Sequence, residues 1–149
     1  MNTDAHRWNQ ITELIIGCAY KVSNGLGCGF LEKVYENALA HELRKTGLSV
    51  AQQKPILVRY DGVVVGEYVA DLVVEGAILI ELKVCKAFDE IHEAQCLNYL
   101  KATGFPLCLL INFGRPKVEI KRFAGKSFSV EFLISVHPCS SVVPTVSGD

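Results

Sequence analysis

The sequence predicts one mixed α/β domain, a central sheet of antiparallel and parallel strands flanked by helices. Two turn signals, Asp61-Gly62 and Glu75-Gly76-Ala77, join three apolar runs that would then lie antiparallel. A helical segment from about Phe88 to Thr103 separates the third run from Leu107–Asn112, and such a crossover lets those two strands lie parallel. Two more helices precede all the strands, which is not the order of a doubly wound parallel sheet.

Each element has its own signal. Thr3 or Asp4 is placed to cap a first helix, where Trp8, Ile11, Leu14, Ile15, Cys18, Ala19 and Val22 recur at helical spacing. The glycines from Gly25 to Gly29 should end it. A second helix is expected from Phe30 to Thr46, with Leu31, Val34, Tyr35, Ala38, Leu39 and Leu43 on its apolar side and Gly47 as its stop. Strands follow over Val50–Tyr60, Val63–Val74 and Ala77–Val84. The third helix should stop at Gly104, with Pro106 just beyond. Leu107–Asn112 and Val118–Phe123 read as strands, and Phe128–Val136 as one more. Residues 1–136 therefore form a single domain, and the Ser/Pro/Val-rich stretch 137–149 reads as a disordered tail.

The chain has 149 residues, half of them hydrophobic, enough to bury a core without staples. A net charge of −1 gives no general attraction for nucleic acid. Basic residues do gather locally: Arg115, Lys117, Lys121, Arg122 and Lys126 face only Glu119 in their segment. Lys117, Lys121 and Arg122 could form a nucleic-acid strip, or simply guard an edge strand. The six cysteines show no C-x-x-C spacing and mostly sit in apolar runs. With a polar N-terminus, they suggest reduced core thiols in a cytoplasmic protein. The longest apolar stretch, near 105–113, is too short to cross a bilayer. The histidines do not cluster, and no serine or cysteine carries the surroundings of a nucleophile.

The most informative segment is Ala77-Ile-Leu-Ile-Glu-Leu-Lys83, a buried-looking strand that contains two charges. Side chains alternate along a strand, so Glu81 and Lys83 share a face. An ionised glutamate there is costly unless a counter-charge, hydrogen bonds or a metal compensates it. Asp71 sits in the preceding strand. A three-residue loop centred on Gly76 would put Asp71 directly opposite Glu81, whereas a two-residue loop would offset them by one. A salt bridge on a solvated face is the alternative, but Ile78, Leu79, Ile80, Leu82 and Val84 fill both faces of this strand.

Two helices add candidates. Glu32 opens the second helix, where the dipole favours a carboxylate, so capping and function both explain it. Gln95 and Tyr99 lie four apart on the third helix and share a face, either as an interior pair or as a border to the charged strand face.

These residues resemble a known pattern. Gly29-x-x-Glu32-x-x-Tyr35 is similar to the signature of the GxxExxY proteins, a branch of the PD-(D/E)xK nuclease-like superfamily. The resemblance continues through Tyr68-x-x-Asp71-Leu, Glu81-Leu-Lys83, Gln95-Cys-Leu-Asn-Tyr99 and Leu109-Leu-Ile-Asn-Phe-Gly114, covering about residues 8–123 in order. The Gln-x-x-x-Tyr spacing also resembles the RecB-like nucleases. The resemblance implies a restriction-endonuclease-like core in which Asp71, Glu81 and Lys83 are catalytic. It implies that Glu32, Asp71 and Glu81 hold Mg²⁺ or Mn²⁺, that Gln95 and Tyr99 position substrate or brace the site, and that Tyr35 helps position substrate. The expected activity is metal-dependent hydrolysis of DNA or RNA phosphodiesters. Two other readings stand beside it: a non-catalytic nucleic-acid-binding module, and an oligomeric scaffold with a buried ion-pair network.

Overall fold

The computed structural model describes residues 3–125, so the expected strand at Phe128–Val136, the tail 137–149 and Cys139 lie outside the described residues. Helix α1 (Thr3–Leu26) buries Ile11, Ile15, Cys18, Ala19 and Val22, while Leu14 is exposed. Asp4 lies inside its first turn rather than capping it. Gly27 and Gly29 take positive φ, which turns the chain sharply into α2 (Glu32–Lys45). This second helix starts two residues later than expected. Leu31 is its N-cap and is exposed, so the buried face is Tyr35, Leu39, Ala40 and Leu43, together with Glu36.

Among the described residues five strands form one sheet, in the order β1 (Val50–Tyr60), β2 (Val63–Val74), β3 (Ile78–Lys83), β4 (Leu107–Asn112) and β5 (Glu119–Ala124). Only β3 and β4 run parallel, joined through α3 (Glu90–Thr103) as the spacing predicts. Asp61 and Gly62 both have positive φ, the conformation a tight two-residue hairpin requires. At the next turn, the pairing of Val74 with Ile78 leaves the loop Glu75-Gly76-Ala77. The three-residue alternative is therefore the one adopted.

Asp89 caps α3 by accepting from the His92 amide, and His92 Nδ1 accepts from Asp89 N–H in return. Helix α3 covers one sheet face, and α1 and α2 cover the other. Lys83 on β3 accordingly reaches Gln95 of α3, while Arg122 on β5 reaches Asn9 of α1. Strands β3 and β4 are buried on both faces, which explains their continuous apolar sequence. Among the described residues no helix is long and apolar enough to cross a membrane.

The end of β4 is clamped to the segment that follows β3. Phe113 N–H donates to Lys83 O, and the fully buried Asn112 bonds both the amide and the carbonyl of Cys85. Among the described cysteines all are unpaired. Cys18, Cys96 and Cys108 are buried as expected, but Cys28 is exposed and Cys85 is half-buried.

Candidate active site

The β2–β3 ladder stops at the pair Leu72–Ile80. One step further, two side chains replace the backbone pairing. Glu81 Oε2 accepts the amide of Asp71 at 3.1 Å, and Asp71 Oδ2 accepts the amide of Leu82 at 2.8 Å. Continuing the register places Asp71 opposite Glu81, so the two carboxylates meet where the strands stop pairing. Glu81 is only 3% exposed. Burial pushes its carboxyl up to about 8, Asp71 adds to that rise, and the Asp71 amide and Lys83 oppose it. Asp71 is also raised, first by burial, against the pull of the Leu82 amide.

Lys83 extends from the same face of β3, and its Nζ donates to Gln95 Oε1 at 3.4 Å. Gln95 Nε2 donates to the Tyr99 hydroxyl at 2.7 Å, forming a chain from the strand into α3. Burial and the nearby Glu81 push the Tyr99 hydroxyl up to about 12, so it stays protonated at neutral pH. The expected juxtaposition of Gln95 and Tyr99 with the charged strand face is therefore present.

Glu32, at the start of α2, is exposed as a residue, yet its carboxyl is raised by partial burial and by Asp71. Lys83 and the Val84 amide pull it the other way, so it lies within electrostatic reach of the pair. Among the described residues no three Asp, Glu, His or Cys side chains converge as a ready-made metal cluster. The expected three-acid ligand set is thus a close pair with a third carboxylate nearby.

One acid escaped the sequence reading. Glu36 is 4% exposed, accepts from Gln52 Nε2 and Gln53 Nε2 at 2.7 and 2.8 Å, and helps raise Asp71. Gln53 also reaches Asp71 Oδ1 at 3.4 Å, from a backbone with φ of 53°. A non-glycine residue in that region is strained, and strain of this kind gathers at functional sites. The available signal was helical spacing, because Glu36 lies one turn after Glu32.

Other expected site residues lie elsewhere. Tyr35 is fully buried and stacks on Phe113 with ring centroids 4.8 Å apart. Its hydroxyl donates to Gly27 O and accepts from Phe30 N–H, so it braces the glycine loop and has no surface to offer a substrate. The basic strip is divided by strand alternation: Lys121 pairs with Glu93 of α3, while Arg122 turns to Asn9 of α1. Lys117 is exposed in the turn before β5.

A five-stranded mixed sheet with an acid pair at the point where two strands part, and a lysine beside it, defines a restriction-endonuclease-like domain. The chain belongs to the PD-(D/E)XK nuclease superfamily, whose family model matches residues 9–123. It is similar in structure to an alkaline exonuclease (LHK-Exo) from Laribacter hongkongensis at 16% identity and a TM-score of 0.48, covering 99% of this chain and 79% of that one. It is also similar to SSO0001, at 16% identity and a TM-score of 0.47, covering 96% and 66% respectively. No curated protein matches the chain significantly.

Proposed function

We propose that this protein is a divalent-metal-dependent nuclease that hydrolyses phosphodiester bonds of DNA or RNA. The observation that carries this reading is the Asp71–Glu81 pair at the end of the β2–β3 ladder, with Lys83 on the same face of β3. Glu81 is buried and is raised further by the half-buried Asp71 beside it, so ionising both is costly, and a bound cation offsets that cost. Their hard oxygen donors suit Mg²⁺ or Mn²⁺, so the donor set fits, with Asp71 and Glu81 as ligands and Glu32 as the third carboxylate. When bound, such an ion supplies Lewis acidity toward phosphate and eases ionisation of a water.

The chain's own residues supply the rest. Lys83 brings an ammonium to the place where negative charge develops on the phosphate. Gln95 orients that ammonium, and Tyr99 orients Gln95. Gln53 of β1 donates to Asp71 and to Glu36 of α2, so it bridges the two acids. We place the chain in the GxxExxY branch on Gly29, Glu32 and Tyr35. Unpaired thiols among the described residues accord with a cytoplasmic setting. A binding module built on the basic strip is disfavoured, because Lys121 and Arg122 are engaged with Glu93 and Asn9.

The test is cleavage of labelled DNA and RNA, single-stranded and duplex, with Mg²⁺ or Mn²⁺. Lys83→Ala should lower kcat by about 10²–10³-fold, as loss of one charge-stabilising donor does. Calorimetry with Mn²⁺ should give heat with the wild type and none with Glu81→Gln. A wild-type protein that leaves every substrate intact removes the enzymatic reading.

A further inference from the structure

A groove of about 350 Å³ lies between the β1–β2 hairpin and α3. Leu57, Arg59, Tyr68, Asn98 and Lys101 line it. We propose that this groove takes one unpaired nucleotide of the substrate, with the base stacked on Tyr68 and the neighbouring phosphates met by Arg59 and Lys101. The enzyme would then act on single strands and frayed ends rather than on intact duplex. This inference rests on the nuclease reading and specifies its substrate.

Tyr68 is half in water, at 50% exposed, three positions before Asp71. Its ring is held from behind by Tyr99, with centroids 5.5 Å apart at 46°, so the open side is a fixed aromatic platform. From Tyr99 the bonded chain runs through Gln95 to Lys83, which ties the platform to the lysine on the charged face of β3. The composition of the lining suits a nucleotide. Every base has a π-face that stacks on tyrosine, Arg59 and Lys101 supply positive charge for phosphate, and the exposed Asn98 amide offers both donor and acceptor to a base edge. A base inside a duplex has both faces covered and must be unstacked before it reaches Tyr68.

The test measures binding and cleavage separately on the full chain. Fluorescence anisotropy in a chelating buffer, with a labelled single-stranded oligonucleotide and its duplex, should show tighter binding of the single strand. Tyr68→Ala should weaken that binding about tenfold and Tyr68→Phe should retain it, as expected for a stacking contact. Arg59→Gln should reduce the salt slope by about one ion. With Mn²⁺, Tyr68→Ala should raise KM for the single strand. Equal affinity of wild type and Tyr68→Ala overturns the groove assignment, and so does equal affinity for duplex. Exposed Tyr60, Val63 and Val65 on the same hairpin define the competing outcome. If Tyr68→Ala changes the molecular mass in solution but not oligonucleotide binding, the face is a contact between copies. Tyr68-dependent binding without any Mn²⁺ cleavage by the wild type would sink the nuclease reading alone. Cleavage indifferent to Tyr68 would sink the groove alone.

Discussion

Glu81 accepts the amide of Asp71, and Asp71 accepts the amide that follows Glu81, so each acid satisfies a backbone donor of the opposite strand. The arrangement holds two carboxylates together at the place where the strands cease to pair. It secures the backbone without a counter-charge for the carboxylates, so ionising Glu81 in the metal-free protein is costly.

That cost has a definite pH signature. The carboxyl of Glu81 lies near 8 in the folded chain against 4.5 when free, so the folded state binds the proton more tightly. Its contribution is fully present below the unfolded value and is lost as pH rises toward 8. The melting temperature of the metal-free protein should therefore fall between about pH 5 and pH 8, at up to about 1.4 kcal/mol of stability per pH unit. Glu81→Gln should flatten this fall and melt higher than the wild type at the alkaline end. Parallel stability curves for the two proteins would show that Glu81 is not the group responsible.

The Glu81–Lys83 strand, its parallel neighbour and the helix between them were legible because their signals are local. A doubly buried run interrupted by charge, a crossover of helical length and a glycine stop each act within one element. The loop at Gly76 was ambiguous by one residue, because register depends on the pairing of both strands and not on the turn alone. Glu36 was missed for a different reason. An acid on a helix ordinarily faces water, and the bonds that compensate its burial include two from Gln52 and Gln53 of β1, far away in sequence, beside the local Lys33 pair. The basic strip failed through alternation, since Lys121 and Arg122 are adjacent in sequence and therefore point to opposite faces.

Tyr35 separates bracing from substrate contact. Its hydroxyl bonds Gly27 O at 2.6 Å and Phe30 N at 3.2 Å, beneath the turn that leads into Glu32. Tyr35→Phe keeps the stacking on Phe113 and deletes both bonds. Stability should drop by about 1–2 kcal/mol in chemical denaturation. KM for an oligonucleotide should stay at the wild-type value, because the ring has no exposed surface. A raised KM with unchanged stability would return Tyr35 to the substrate.

Gly114 tests how the end of β4 holds Lys83 in place. A Cβ at this position would stand 2.5 Å from Cys85 N and 2.6 Å from Cys85 O, both backbone atoms that cannot rotate away. The same Cys85 groups are bonded by Asn112, whose Oδ1 also accepts from Gly114 N–H at 2.8 Å. Gly114→Ala should therefore push the chain after Lys83 away from β4 and break the Asn112 bonds with it. The expected loss is about 1–3 kcal/mol of stability, typical of overpacking against rigid neighbours. Amide exchange at Cys85 should accelerate, and kcat should fall as Lys83 loses its fixed position over the acid pair. Asn112→Ala supplies the control: it removes the bonds without the clash, leaving Cys85 groups unpaired. It should accelerate the same amide and cost about 1–3 kcal/mol. If Gly114→Ala leaves Cys85 exchange and kcat unchanged, the clamp does not determine where Lys83 sits.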